Sequence, residues 1–435
     1  MGKFLQNLRW YRLDNAAKIY PVLTTERYTH VFRVAATLKN DINPEILKQA
    51  ILDCKNRFPT FFVRMKHGIF WYYFEPNPMD PIIKEENSIV CEKINTHKNN
   101  HYFFTFFYYR ERISLEVFHA LCDGGAAIIF LKAVIFQYLG LLGHDLDNSE
   151  DIFTIGEIPS YKEAEDSYEV NFTETKTIKN KVPDAYLIKA KRFPYPGCGI
   201  IDSKIETDEL LKLAKAKKVS LSQYISAVLI YATILTGDLN KLQKMPINIC
   251  IPINLRPLYH SETLKNFSLY IHSIYYMKDN PPDFDDILLK VKSDFMREMD
   301  PIKIQSKINS NVKIVKNFLV RICPLPLKKI LFKIGYSVYG KKPTTITFTN
   351  FGEIKVPNSM IPFIDSFTFN LGSGSKPAVA INSFQGYSSI IFSRAIINTE
   401  LERTFFAFLS QQGIKILIKT NRWESYLNPS ISFNK

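Results

Sequence analysis

Residues 112–142 read RISLEVFHALCDGGAAIIFLKAVIFQYLGLL, and the pattern changes midway. Ile113, Leu115 and Val117 alternate along one face, the period of a half-buried strand. From about Ala126 to Leu142 the apolar residues read as a helix. Between them stand His119, Asp123, Gly124 and Gly125. The expected unit is a strand ending in a histidine, a turn through Asp123-Gly124-Gly125, and a helix. A strand end beside a helix N-terminus lets a side chain face a cavity while backbone N–H groups point the same way. The glycines let a second backbone or a substrate come close.

An imidazole placed there is a candidate general base, because histidine exchanges protons near neutrality. It can take a proton while a hydroxyl or an amine attacks a carbonyl. Asp123 is suited to orient the ring or to anchor the loop. The competing reading is a structural histidine that only donates and accepts hydrogen bonds, the commoner fate of a lone histidine at a strand end.

Working outward, the first half alternates strands and helices. Thr29–Thr37 reads as a strand. Asn43-Pro44 gives an N-cap and a first-turn proline for a helix to about Asn56. Phe61–Met65 and Ile69–Phe74 flank His67-Gly68 as a hairpin, and Phe103–Tyr109 is a further strand. Residues 145–200 are polar and charged, and they read as a surface linker. The second half restarts with helix Asp208–Lys217. Ser220 and Gln223 then form a capping-box pair opening helix Leu221–Leu235. Met245–Asn254, Phe267–Tyr276 and Thr344–Asn350 read as strands. Ser366–Leu371 and Val379–Phe384 flank Gly372–Lys376, and Ser388–Ser393 is expected to pair with them. A last helix, Glu400–Gln411, stops at Gly413. The predicted fold class is mixed α/β (α+β), with two similar domains at 1–180 and 181–435.

Composition agrees with a globular chain. It has 435 residues, 46% apolar and 23% charged, with 17 glycines, which excludes disordered and collagen-like classes. The six cysteines carry no CxxC or metal-ligand rhythm, so free thiols in a reducing compartment, no metal site and a cytoplasmic location are expected. Ala126–Leu142 carries Lys132 and Gln137 and is expected to be too short and polar to span a bilayer.

Two further stretches end strands. Ile251-Pro252-Ile253-Asn254-Leu255-Arg256-Pro257 delivers an arginine that must find an anion or solvent, and Asp123 is a candidate partner. Thr349-Asn350-Phe351-Gly352-Glu353 is the other. HALCDG at 119–124, NLRP at 254–257 and NFG at 350–352, in this order and spacing, resemble the superfamily of chloramphenicol acetyltransferase, peptide-synthetase condensation domains and BAHD acyltransferases. Trp10–Ala17, Arg57-Phe58-Pro59, Gly68–Tyr73 and Arg112–Gly124 resemble most closely its bacterial alcohol acetyltransferase-like members.

That resemblance implies two chloramphenicol-acetyltransferase-like domains in a V-shaped pseudo-dimer with the active-site channel at their interface. It implies His119 as general base and Asp123 as a mainly structural residue paired with Arg256. Gly124 keeps the channel open and is placed to offer its N–H to an oxyanion. Asn254, Asn350 and Gly352 become channel or substrate candidates. No bound cofactor is implied; acyl-CoA is a co-substrate and an alcohol or amine the acceptor. Phe118 stands where condensation domains carry a first histidine, and the plant-type DFGWG is absent.

The formal charge is +14, and most of it is local. From Pro301 to Lys342 there are nine lysines and Arg321 but no acidic residue. Such a block suits a phosphate-bearing donor such as acyl-CoA, an anionic membrane surface or a merely solvated face. Nucleic acid is disfavoured because no recognition motif accompanies the charge. Leu327, Ile330, Leu331 and Ile334 share a helical face beside Lys328, Lys329 and Lys333, a pattern suited to peripheral membrane contact. Three functional readings follow: a CoA-dependent O-acyltransferase, a condensation-type ester or amide synthase using carrier-bound donors, and a non-catalytic member of the superfamily.

Overall fold

The computed structural model describes residues 10–87, 89–147, 152–175, 177, 182–193, 197–278, 282–335, 343–372, 374 and 376–421. The first half supplies strands β1 (Tyr11–Arg12), β2 (Val31–Leu38), β3 (Val63–His67), β4 (Tyr72–Pro76), β5 (Ile83–Glu85), β6 (Phe104–Tyr109) and β7 (Arg112–Phe118). The second supplies β8 (Gly199–Glu206), β9 (Ile247–Asn254), β10 (Ser268–Tyr275), β11 (Ile346–Glu353), β12 (Ile364–Asn370), β13 (Ala378–Phe384), β14 (Tyr387–Arg394) and β15 (Leu417–Thr420). The longer helices are α1 (Pro44–Asp53), α2 (Gly124–Leu141), α3 (Thr207–Ala216), α4 (Leu221–Thr236), α5 (Phe284–Glu298), α6 (Pro301–Lys316), α7 (Leu325–Gly335) and α8 (Glu400–Gln411).

Local chemistry sets many of these boundaries. The Asn43 side chain accepts from the N–H groups of Glu45 and Ile46 and opens α1. Ser220 and Gln223 close a reciprocal capping box on α4. Gly413, at φ +87°, follows α8 in the left-handed region that glycine tolerates.

Two sheets carry the architecture. A five-stranded sheet runs β12-β2-β7-β6-β5, and a seven-stranded sheet runs β10-β9-β11-β13-β14-β8-β15. A small β1-β4-β3 sheet flanks them. In the large sheet β11 lies parallel to β9 and β13, and its other neighbours pair antiparallel. Helix α2 packs on β2 and β7 of the first sheet with α1 beside it, while α4 packs on β9 and β11 with α5 and α8 beside it. Strand β9 does not show the single buried face its alternating isoleucines suggest. Residues Ile247–Ile251 are all buried, because a central strand between layers meets protein on both faces.

Helix α2 is the hub of the first core. Phe130 is fully buried, with its ring centroid 4.5–5.6 Å from those of Phe58, Phe61, Phe104 and Phe106. Truncating such a ring to alanine costs about 3–5 kcal/mol. By length and hydropathy this helix is, against expectation, apolar enough to cross a membrane, yet 61% of that window is buried inside the protein. Its Lys132 is taken up by the Lys355 carbonyl at 2.8 Å.

Two expectations are corrected. Ser366–Leu371 does not pair with Val379–Phe384. β13 pairs with β14, but β12 leaves its neighbours and adds to β2 at the edge of the first sheet. A strand from beyond residue 360 thus completes a sheet built otherwise from residues before 120. Nor is the whole of 145–200 a surface linker. Glu163 is buried and takes both Arg57 Nη atoms, at 2.8 and 3.1 Å. Tyr168 is buried edge-on against Phe267. Residues 148–151 and several between 176 and 196 lie outside the described set.

Candidate active site

A cavity of about 840 Å³ lies between the two sheets. Its wall takes Phe32 and His119 from the β2 and β7 side, and Gly124 and Gly125 from the first turn of α2. From the other sheet come Asn254, Tyr270, His272 and Asn350, and Phe369 comes from the crossing strand β12. Strand β7 ends at Phe118 and α2 begins at Gly124, so the sequence places His119 at the mouth of that turn.

Asp123 ties the turn to the second sheet. As N-cap of α2 it accepts from the Ala126 N–H at 3.1 Å. Its two oxygens also take a fork from Arg256, each at 2.9 Å, and the Phe267 N–H at 3.0 Å. The rest of the guanidinium is satisfied by the carbonyls of Thr263 and Lys265 and by Asn254 Oδ1. Burial pushes the Asp123 carboxyl up, but Arg256 and the two N–H donors outweigh it and hold the group below its ordinary value. Asp123 is thereby ionised and fully engaged, an anchor with no free lone pair for the imidazole.

His119 is oriented by a residue that the sequence did not single out. Its Nδ1 lies 2.9 Å from Asn266 Oδ1. The Asn266 amide nitrogen in turn donates to Asp14 Oδ2 at 2.9 Å, and the Asn266 backbone N–H reaches the same oxygen at 3.2 Å. Asp14 also accepts from the Ala17 N–H at 2.7 Å. A carboxamide whose nitrogen must donate to a carboxylate can only present its oxygen to the ring. Nδ1 therefore carries the proton, and Nε2 keeps its lone pair. The ring is half-buried, stacks on Tyr20 with centroids 4.7 Å apart, and meets Phe32 edge-on at 5.2 Å. The nearby His30 is held down to about 4, first by burial and then by His119, so it stays neutral.

The remaining expected residues divide. Asn254 and Asn350 line the cavity. Gly352 does not. At φ +69° it turns the end of β11, its N–H donating to Asn350 Oδ1 at 2.8 Å, with open space where a Cβ would stand. Gly124 is a site of close approach, since a Cβ there would lie 2.3 Å from Phe369 Cζ and 2.9 Å from Phe351 Cε1. Those rings stack on each other, centroids 3.6 Å apart. Among the described residues the Gly124 and Gly125 N–H groups have no acceptor, the usual state of a first helical turn. No described residue of 301–335 lines the cavity. Its cations are Lys132, Lys355, Lys376 and the paired Arg256. Lys376 has no hydrogen bond or ion pair among the described residues, and burial drops its ammonium to about 8.

No protein-family model matches this sequence, and no curated protein matches it. Solved structures do. TRI101 of Fusarium sporotrichioides, complexed with coenzyme A and T-2, superposes with a TM-score of 0.59 at 11% identity, covering 95% of this chain and 99% of that one. TRI3 trichothecene 15-O-acetyltransferase from the same organism gives 0.58 at 10% identity, covering 92% and 95%. A variant of the starter condensation domain of rhizomide synthetase RzmA, in complex with C8-CoA, gives 0.57 at 11% identity, covering 92% and 94%. The chain has the fold that these proteins share.

Proposed function

We propose that the protein is an acyltransferase that moves an acyl group, acetyl or another short chain, from acyl-CoA to an alcohol, with His119 as general base. The observation that carries this reading is His119 on the cavity wall with its Nδ1 engaged by Asn266, which supports a free lone pair on Nε2. Support comes from the fold, which houses CoA complexes in TRI101 and in the RzmA domain.

In this mechanism the alcohol oxygen attacks the thioester carbonyl carbon as Nε2 takes the hydroxyl proton. Removal is concerted with attack, because neutral imidazole is far too weak a base to ionise an alcohol beforehand; a base so placed contributes about 10²–10⁴-fold. The tetrahedral oxyanion is met by the orphan N–H groups of Gly124 and Gly125. Each donor of this kind is worth about 2.7–4 kcal/mol where it is aligned. Collapse breaks the C–S bond, and the imidazolium returns its proton to the leaving thiolate, giving ester and free thiol. The ring's positive charge is spread against the Tyr20 face, whose hydroxyl burial keeps protonated. Lys376 meets an anionic group of the donor.

A second reading, condensation with a carrier-bound donor, rests on the condensation-domain fold that the chain shares. The test is a screen of acyl-CoA donors against an alcohol library, read by thiol release, with loaded carrier protein as a parallel donor. Turnover with acyl-CoA supports the first reading. Turnover with carrier protein alone supports the second, and turnover with neither donor leaves a non-catalytic protein.

A further inference from the structure

Helix α7 turns an apolar stripe to solvent. Leu327, Ile330, Leu331 and Ile334 form the stripe that ordinarily faces a core, yet they are 51–57% exposed. The inward face carries Leu325, the partly buried Phe332 and, between them, a lysine. Lys328 is 2% exposed, donates to the Phe70 carbonyl at 2.8 Å and lies 3.4 Å from the centre of the Trp71 ring. The apolar surface continues onto Phe318, Leu319 and Ile322 of the short helix Phe318–Ile322, all exposed. It also reaches Ile69 at the tip of the β3–β4 hairpin, whose carbonyl accepts from the Leu325 N–H at 2.9 Å.

Basic residues occur along the same segment, Lys316, Arg321, Lys329 and Lys333, and no acidic residue occurs between 301 and 342. Exposed apolar surface of this extent marks an interaction site. Its combination with lysines fits acyl chains topped by anionic headgroups. A second copy would bring two such basic blocks face to face, which like-charge repulsion opposes. Nucleic acid supplies the anions but nothing for the isoleucines.

We propose that α7, the short helix Phe318–Ile322 and the β3–β4 tip dock on the surface of an anionic lipid bilayer, the apolar side chains entering the acyl boundary and the lysines and arginine meeting phosphates. Helix α7 packs on the short helix Tyr20–Leu23, and Tyr20 and Leu23 line the cavity. A docked bilayer therefore lies one helix away from His119.

The test is flotation of the full chain with vesicles of phosphatidylcholine alone and of phosphatidylcholine with phosphatidylserine, read without any acyl substrate and so independent of the reaction. The wild type is expected to float with the anionic vesicles and to be released by high salt. The double variant Ile330→Glu/Leu331→Glu should bind about tenfold or more weakly with unchanged thermal unfolding, since both side chains are exposed. Lys329→Glu/Lys333→Glu should weaken binding to anionic vesicles only. Wild type that stays unbound at low salt, or variants that float as wild type does, would overturn the proposal. So would a dimer, seen by light scattering, that the first variant dissolves while no form of the protein floats.

Discussion

Asn266 Oδ1 sits 2.9 Å from His119 Nδ1, and this contact decides which ring nitrogen keeps its lone pair. Asp14 fixes the carboxamide from behind, through both the side-chain and the backbone nitrogen of Asn266. On the proposed mechanism Asn266 is a positioning residue. Asn266→Ala should lower kcat about tenfold or more while leaving KM for acyl-CoA nearly unchanged, and should shift the pH profile of kcat. A purely structural role would leave that profile in place.

The Asp123–Arg256 fork joins the α2 turn to the loop after β9. Removing one partner of such a buried pair costs about 3–5 kcal/mol, so Asp123→Asn should lose that much stability at pH 7 in denaturant unfolding. The sign follows from the depressed carboxyl. Its contribution is complete above the ordinary carboxylate value of about 3.9 and is lost as pH falls through the lower folded value. The gap between wild type and variant should therefore close only under strongly acidic conditions.

Gly124 is required by the rings opposite it. Gly124→Ala sets a methyl 2.3 Å from Phe369 Cζ, and overpacking of this kind costs about 1–3 kcal/mol. Adding Phe369→Ala should recover part of the activity lost by Gly124→Ala, because it removes the closest of the clashing atoms. A double variant no more active than Gly124→Ala alone would show that the glycine matters for another reason.

On the proposed mechanism Lys376 supplies a pH-dependent readout of donor binding. Burial lowers it to about 8, so its charge is present below that pH and lost above it. KM for acyl-CoA should rise as pH passes through 8, and Lys376→Met should show the higher KM at every pH. Steady-state kinetics from pH 6.5 to 9.5 checks both.

What the sequence made legible was local. The strand–turn–helix of 112–141 follows from a period change and a capping aspartate, and the Ser220–Gln223 box from two residues three apart. Asn266 and Asp14 were not legible as partners of His119, because 147 and 252 residues separate Asn266 from its two contacts and neither contact leaves a pattern along the chain. The path of β12 was misjudged because neighbours in sequence usually pair. Here the segment after Asn370 carries the chain from one sheet to the other, and the first sheet needs an edge strand beside β2. Gly352 entered with Asn350 through the NFG stretch of the resemblance, though a φ of +69° accounts for the glycine.

The most direct measurement compares His119→Ala with wild type in thiol release from acyl-CoA, using the best donor and alcohol from the screen. A fall in kcat of about 10²-fold or more, with thermal unfolding unchanged, is the predicted result. A His119→Ala protein that turns over as fast as wild type would contradict the assignment of this imidazole as the base.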